Sequence, residues 1–176
     1  VAMRFLLLPA VVMTLSVFSQ AGDWPQFLGP HRTGISDETG LVDSFPASGP
    51  VVAWRVPLGV GMSNLAIHDG VAFTMYQDMD NQFVVALDAT SGKRKWATVV
   101  APAYKNAMGN GPRATPTVHN GLVYSFSGEG ILTALDEASC DVVWSANTPK
   151  EQEGRPAEYG IASSPLIAGD SVVVQV

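Results

Sequence analysis

From residue 115 to residue 146 apolar and polar positions alternate with a period of two in four short runs, and each run is bounded by turn residues. Thr115 to His119 leads into Asn120-Gly121. Leu122 to Ser127 leads into Gly128-Glu129-Gly130, and Ile131 to Asp136 is followed by Val142 to Ala146. Alternation at period two predicts half-buried β-strands. Asn-Gly is the strongest short hairpin signal, because both central residues of a type I′ turn need positive φ. Asp69-Gly70 repeats this turn chemistry upstream and Gly169-Asp170 downstream. Every apolar stretch beyond residue 21 is broken by Gly, Pro or β-branched residues within a turn or two, so no helix of ordinary length is predicted.

The pattern recurs along the chain. Gly121-Leu-Val-Tyr-Ser-Phe aligns with Gly70-Val-Ala-Phe-Thr-Met, and Ala134-Leu135-Asp136 lies 48 residues beyond Ala86-Leu87-Asp88. Trp144 follows Trp96 by the same 48, and Trp54 precedes Trp96 by 42. Ser164-Pro165-Leu166-Ile167 opens a third copy, matching Thr115-Pro116-Thr117-Val118. A period in the forties with four short strands per unit is that of one propeller blade. The expected fold class is therefore all-β, a β-propeller of four-stranded antiparallel blades, with about three blades present and the ring incomplete. The recurring indoles Trp54, Trp96 and Trp144 are expected to bury against neighbouring blades. Asp88 and Asp136 are expected to cap the backbone amides of the turns that follow them.

The amino-terminal residues have a different character. Met3-Arg4, an apolar run from Phe5 to Phe18 and Ser19-Gln20-Ala21 form a secretory signal pattern over residues 1–21, with cleavage expected after Ala21. That run is shorter than the ~20 residues of a membrane-spanning helix and contains Pro9, so no permanent membrane anchor is expected. Residues 22–50 then read as an N-terminal extended segment and residues 51–176 as the partial repeat domain. The expected location is secreted or periplasmic. Val172 to Val176 ends in mid-strand with an apolar edge, so the chain is expected to be an N-terminal fragment.

Composition narrows the chemistry further. Ten Lys plus Arg stand against 16 Asp plus Glu, a net charge of -6, and this argues against a nucleic-acid partner. Cys140 is the single cysteine, which excludes an internal disulfide or a Cys-x-x-Cys metal site. Gly109-Asn110-Gly111-Pro112-Arg113-Ala114 matches G-x-G-x-x-A formally, but Pro112 and the strand-like residues after it forbid the phosphate-cradling helix.

Ala86-Leu87-Asp88-Ala89-Thr90-Ser91-Gly92-Lys93-Arg94-Lys95-Trp96 resembles the A-x-D-x-x-T-G-x-x-x-W signature of pyrroloquinoline-quinone-like (PQQ-like) propeller repeats. The second copy, Ala134 to Trp144, is similar but carries Cys140 in the Gly place, so its turn is expected to avoid the Gly-dependent geometry. Trp24-Pro25-Gln26-Phe27-Leu28-Gly29-Pro30 also resembles segments of secreted bacterial repeat proteins of the outer-membrane-assembly-factor-like kind. The resemblance implies a non-catalytic binding or protein-assembly scaffold that needs no cofactor. Its alternative implication is a quinone-dependent alcohol or sugar dehydrogenase using PQQ with Ca, whose active residues would lie in a missing C-terminal part. No catalytic residue and no metal site can be matched here. The structural repeat motif comprises Asp88, Gly92, Trp96, Asp136 and Trp144.

Four residues are candidates for binding. Arg113 stands in a Gly/Pro-rich loop entering a channel-lining strand, and Tyr159, Ser63 and Asn64 occupy corresponding loops one blade later and one blade earlier. They are expected to share one propeller mouth that takes a protein partner or a small anionic ligand. Arg155 and Glu158 lie in a polar loop with no partner visible. His68 and His119 occupy equivalent turn positions and are expected to be exposed on successive blades rather than to converge on a metal. Asp78-Met79-Asp80-Asn81 lacks the Gly and Glu of a calcium loop and reads as a solvated hairpin.

Overall fold

The computed structural model describes residues 22–154 and 158–176. The leader read over residues 1–21 and Arg155 lie outside them. The first blade is a four-stranded antiparallel meander of β1 (Ala66–His68), β2 (Val71–Gln77), β3 (Asn81–Asp88) and β4 (Arg94–Pro102). The second repeats it with β5 (Thr117–His119), β6 (Leu122–Phe126), β7 (Ile131–Asp136) and β8 (Val142–Asn147). A single helical turn, α1 (Thr148–Glu151), follows, and β9 (Leu166–Ala168) pairs with β10 (Ser171–Val173) to begin a third blade. The chain is thus an incomplete all-β propeller of two full blades and the start of another. No helix among the described residues is long and apolar enough to cross a membrane.

The alternation of side chains along β3 explains its unbroken run Val84-Val85-Ala86-Leu87. Successive residues point to opposite faces of a strand, and both faces of this blade are covered. Val84 and Ala86 join Phe73 in one cluster with Val118, Val123 and Leu135 of the second blade. Val85 and Leu87 face the other way, against Trp54 and Leu58. The second blade uses Phe126 and Leu132 in the same manner toward Val172 of the third. β5 starts two residues later than the sequence pattern predicts. Pro116 has no amide to give a ladder, and the Thr115 amide donates instead to Ser164 Oγ at 2.9 Å.

Each Asp-containing turn is built as the sequence predicts. Asp88 Oδ1 accepts the Ser91 amide at 2.8 Å and the Ser91 hydroxyl at 2.7 Å. Asp136 Oδ1 accepts the amides of Ser139 at 2.7 Å and Ala138 at 3.0 Å. These bonds hold both carboxyls below the ordinary 3.8, through the Ser91 hydroxyl first for Asp88 and the Ser139 amide first for Asp136. The turn then receives the indole of the preceding repeat. Trp54 Nε1 donates to the Ala89 carbonyl at 3.0 Å, and Trp96 Nε1 donates to the equivalent Glu137 carbonyl at 3.2 Å. A matched bulge beside Ala86 and Ala134 brings Trp96 and Trp144 into place in the two outer strands. Trp144 differs from the expectation of burial: it packs on Tyr124 with centroids 6.2 Å apart yet is 37% exposed. Trp54 and Trp96 each meet a turn carbonyl of the next blade, and no described residue takes that place over Trp144.

Cys140 corrects a second expectation. Its φ is +64°, beside +70° at Gly92, so the turn keeps the left-handed geometry and the cysteine adopts it. The reason is that the Cys140 amide must reach the Asp136 carbonyl, as the Gly92 amide reaches that of Asp88. The left-handed conformation costs a non-Gly residue about 1–2 kcal/mol, and Gly adds about 0.5–1 kcal/mol of unfolded-chain entropy. Cys140→Gly is therefore expected to stabilise the fold by about 0.5–1 kcal/mol, read as a higher urea midpoint. Gly92→Ala should do the reverse, since its Cβ would stand 2.6 Å from the Trp54 ring.

Residues 22–50 form no strand, but they are not a free extension. Trp24 exchanges amide bonds with Ile67 of β1, Pro25 accepts the Val118 amide of β5, and Arg32 Nη2 donates to the Ile167 carbonyl of β9 at 2.7 Å. Ile67, Val118 and Ile167 are the equivalent residues of the three innermost strands. The segment therefore closes one end of the channel across all three blades.

Candidate functional site

The strand directions place two sets of loops at opposite ends of the blades. Loops around residues 59–64, 103–116, 127–130 and 158–164 form the mouth, while the Asp88 and Asp136 turns and His68 lie at the end closed by residues 22–32. At the mouth, Tyr104 organises the loops. Its amide donates to Gln77 Oε1 at 2.8 Å, its hydroxyl accepts from Asn106 Nδ2 at 3.0 Å, and Gly128 and Gly160 close on its ring. A Cβ at either glycine would stand 2.7 Å from a Tyr104 atom, so bare backbone is required there. Asn106 Nδ2 also donates to the Glu158 carbonyl, tying this loop to the one that begins the third blade.

Arg113 lies over the Tyr104 ring with its guanidinium carbon 4.9 Å from the centroid. It also donates to the carbonyls of Gly111 at 2.8 Å and Gly109 at 2.7 Å. The cation is thereby fixed by its own loop as well as facing the mouth. Tyr159 is exposed and precedes Gly160, whose backbone closes on the Tyr104 ring. Ser63 and Asn64 turn toward β2: Ser63 Oγ accepts from the Met75 amide, and Thr74 Oγ1 donates to the Asn64 carbonyl. The bond from the Met62 amide to the Pro112 carbonyl, 2.8 Å, is what brings their loop beside that of Arg113.

The residues missed by sequence reasoning are Tyr104, Asn106, Gln77 and Gln82. Both glutamines are buried at the mouth ends of their strands. Gln82 spans the two blades, its Nε2 donating to the Pro102 carbonyl and Glu129 Oε2 and its Oε1 accepting the Gly128 amide. A glutamine at an apolar alternation position was the one signal that could have marked them.

The closed end holds an unexpected junction. His68 is half-buried rather than a free turn residue, and its Nδ1 lies 2.8 Å from Glu137 Oε1 of the second blade. That hydrogen bond raises the histidine above its ordinary 6.5, with Asp23 and Asp69 adding to it. His119, in the equivalent turn, is exposed.

A quinone cofactor with calcium would need a planar slot, free cationic groups and convergent oxygens. Asp88 and Asp136 lie at the end away from Arg113 and are occupied by turn amides, and Arg113 is engaged by two carbonyls. Asp88, Asp136 and Arg113 therefore supply no free group for that cofactor.

Comparison with known proteins adds two kinds of likeness. A family model described as outer membrane protein assembly factor BamB matches residues 38–176. The outer membrane protein assembly factor BamB of Yersinia pestis is 28% identical over 179 residues, which covers 93% of this chain and 44% of that protein. The chain thus spans less than half the length of this curated relative. Two solved quinohemoprotein alcohol dehydrogenases share the fold. That of Comamonas testosteroni matches with a TM-score of 0.52 and 24% identity over 86% of this chain and 23% of its own. That of Pseudomonas putida matches with a TM-score of 0.50 and 22% identity over 69% of this chain and 17% of its own.

Proposed function

Because the chain belongs to the family of the outer membrane protein assembly factor BamB, we propose that it works outside the cytoplasm as a non-catalytic scaffold for assembling outer-membrane proteins. The observation that carries this reading is the family match across residues 38–176. The signal pattern over residues 1–21 supports export, and the mouth supports binding rather than chemistry. Its polar groups are spent on fixing loop backbone, which leaves a preorganised surface around Arg113, Tyr104 and Tyr159 suited to a protein partner. A small anion at Arg113 is the lesser use of the same surface, since two carbonyls already take its donors.

The fold likeness to quinohemoprotein alcohol dehydrogenases supports the second reading, a quinone-dependent dehydrogenase completed by residues outside this chain. One experiment separates the two. The full-length gene product is expressed in a laboratory bacterium lacking its own assembly factor of this family, and folded outer-membrane proteins are quantified. Restored levels are expected. Unrestored levels together with stoichiometric binding of PQQ and Ca2+ and dye-linked alcohol oxidation would overturn the scaffold reading in favour of the dehydrogenase.

A further inference from the structure

We propose that Asp23, His68 and Asp69 form a binding site for one divalent transition-metal ion of the zinc class, with Glu137 as the positioning residue for the histidine. One ligand atom from each of the three lies within 4.8 Å of the other two. They come from different parts of the chain and are placed by backbone structure. Trp24 and Ile67 exchange amide bonds of 2.8 and 2.9 Å, which sets Asp23 beside the end of β1. Asp69 follows in the β1–β2 turn with φ +46°, and its amide donates to Asp23 Oδ1 at 3.1 Å. Asp23 Oδ1 is thereby occupied and Oδ2 is the oxygen that faces the imidazole.

The histidine is held in the orientation a metal needs. When Nδ1–H donates to Glu137 Oε1, the neutral ring carries its lone pair on Nε2. Carboxylate–histidine–metal triads are oriented in this way. Nε2 has no hydrogen-bond partner among the described residues and stands 3.9 Å from Asp23 Oδ2, too far for a hydrogen bond. Ligands about 2.0–2.2 Å from a tetrahedral zinc lie roughly 3.3 Å apart, so a few tenths of an ångström of side-chain movement would close the pair. Both aspartates are exposed, and the Asp69 carboxylate lies within 4.8 Å of the other two ligand atoms.

One imidazole with two carboxylates selects zinc-class ions over Mg2+ or Ca2+, which favour oxygen-only shells. Such an ion would clamp the segment closing the channel to the first blade, and through Glu137 to the second.

The test is calorimetric titration of the protein with Zn2+ alone, supported by Co2+ absorption as a probe of coordination. One equivalent is expected to bind and to raise the melting temperature. Asp23→Asn and His68→Gln should each weaken binding at least tenfold, and Glu137→Gln by about 10–100-fold. His119→Gln should leave it unchanged. Circular dichroism of each variant verifies that the blades remain folded, and the conservative Asp23→Asn change keeps the site's shape. Absence of saturable one-equivalent binding, equal affinity in the folded Asp23→Asn and His68→Gln proteins, or tighter binding of Ca2+ than of Zn2+ would each overturn the proposal.

Discussion

Trp96→Ala is expected to cost about 3–4 kcal/mol of stability. The indole does three things that alanine cannot. It lies against Phe73 with ring centroids 5.8 Å apart, and it packs on the cluster shared by the two blades. Its Nε1 donates across the interface to the Glu137 carbonyl at 3.2 Å. Trp96→Phe separates these contributions. Phenylalanine keeps most of the buried ring and loses the hydrogen bond, so it should cost about 1–1.5 kcal/mol. Urea denaturation measures both. Equal losses from Ala and Phe would mean that the hydrogen bond, not the packing, joins the blades.

The second large effect is expected at Gln82. Gln82→Leu preserves volume but leaves the Gly128 amide, the Pro102 carbonyl and the Glu129 carboxylate without their partner. Each unsatisfied buried group costs about 1–3 kcal/mol, and the half-buried Glu129 can turn to water, so a total loss of about 3 kcal/mol is expected. Gln82 is fully buried, which prevents water from replacing the amide without disturbing the interface. The urea midpoint again reads the loss. Protection of the Gly128 amide from hydrogen exchange should fall with it, because Gln82 Oε1 is the acceptor that amide uses. A loss under 1 kcal/mol would show that the two blades hold together without this bridge.

The repeat was legible because its physics is local. Asn120-Gly121 and Asp69-Gly70 need only their own φ angles to make hairpins, and both Asn120 and Asp69 adopt positive φ. Asp88 and Asp136 bond amides two or three residues ahead, a distance that spacing alone reveals. The period of the indoles was legible for the same reason, since each blade must present one to the next. The mouth was legible in part. The order of strands places the loops of Arg113 and Tyr159 at one end, but nothing local to Arg113 tells that Gly109 and Gly111 carbonyls would engage it.

Sequence by itself thus determined the all-β class, the strand boundaries of the second blade to within two residues, and the capped turns, since each depends on contacts of short range. Tertiary structure alone decided the rest. Thr98 Oγ1 of the first blade donates to the Cys140 carbonyl at 3.1 Å, a partner 42 positions away in the chain. Residues 24, 25 and 32 bind three strands that the chain reaches about 40 to 140 residues later, and His68 meets Glu137 across 69 positions. Such partners are set by how blades pack around an axis, and no periodicity within one repeat encodes which residue of the next will stand opposite.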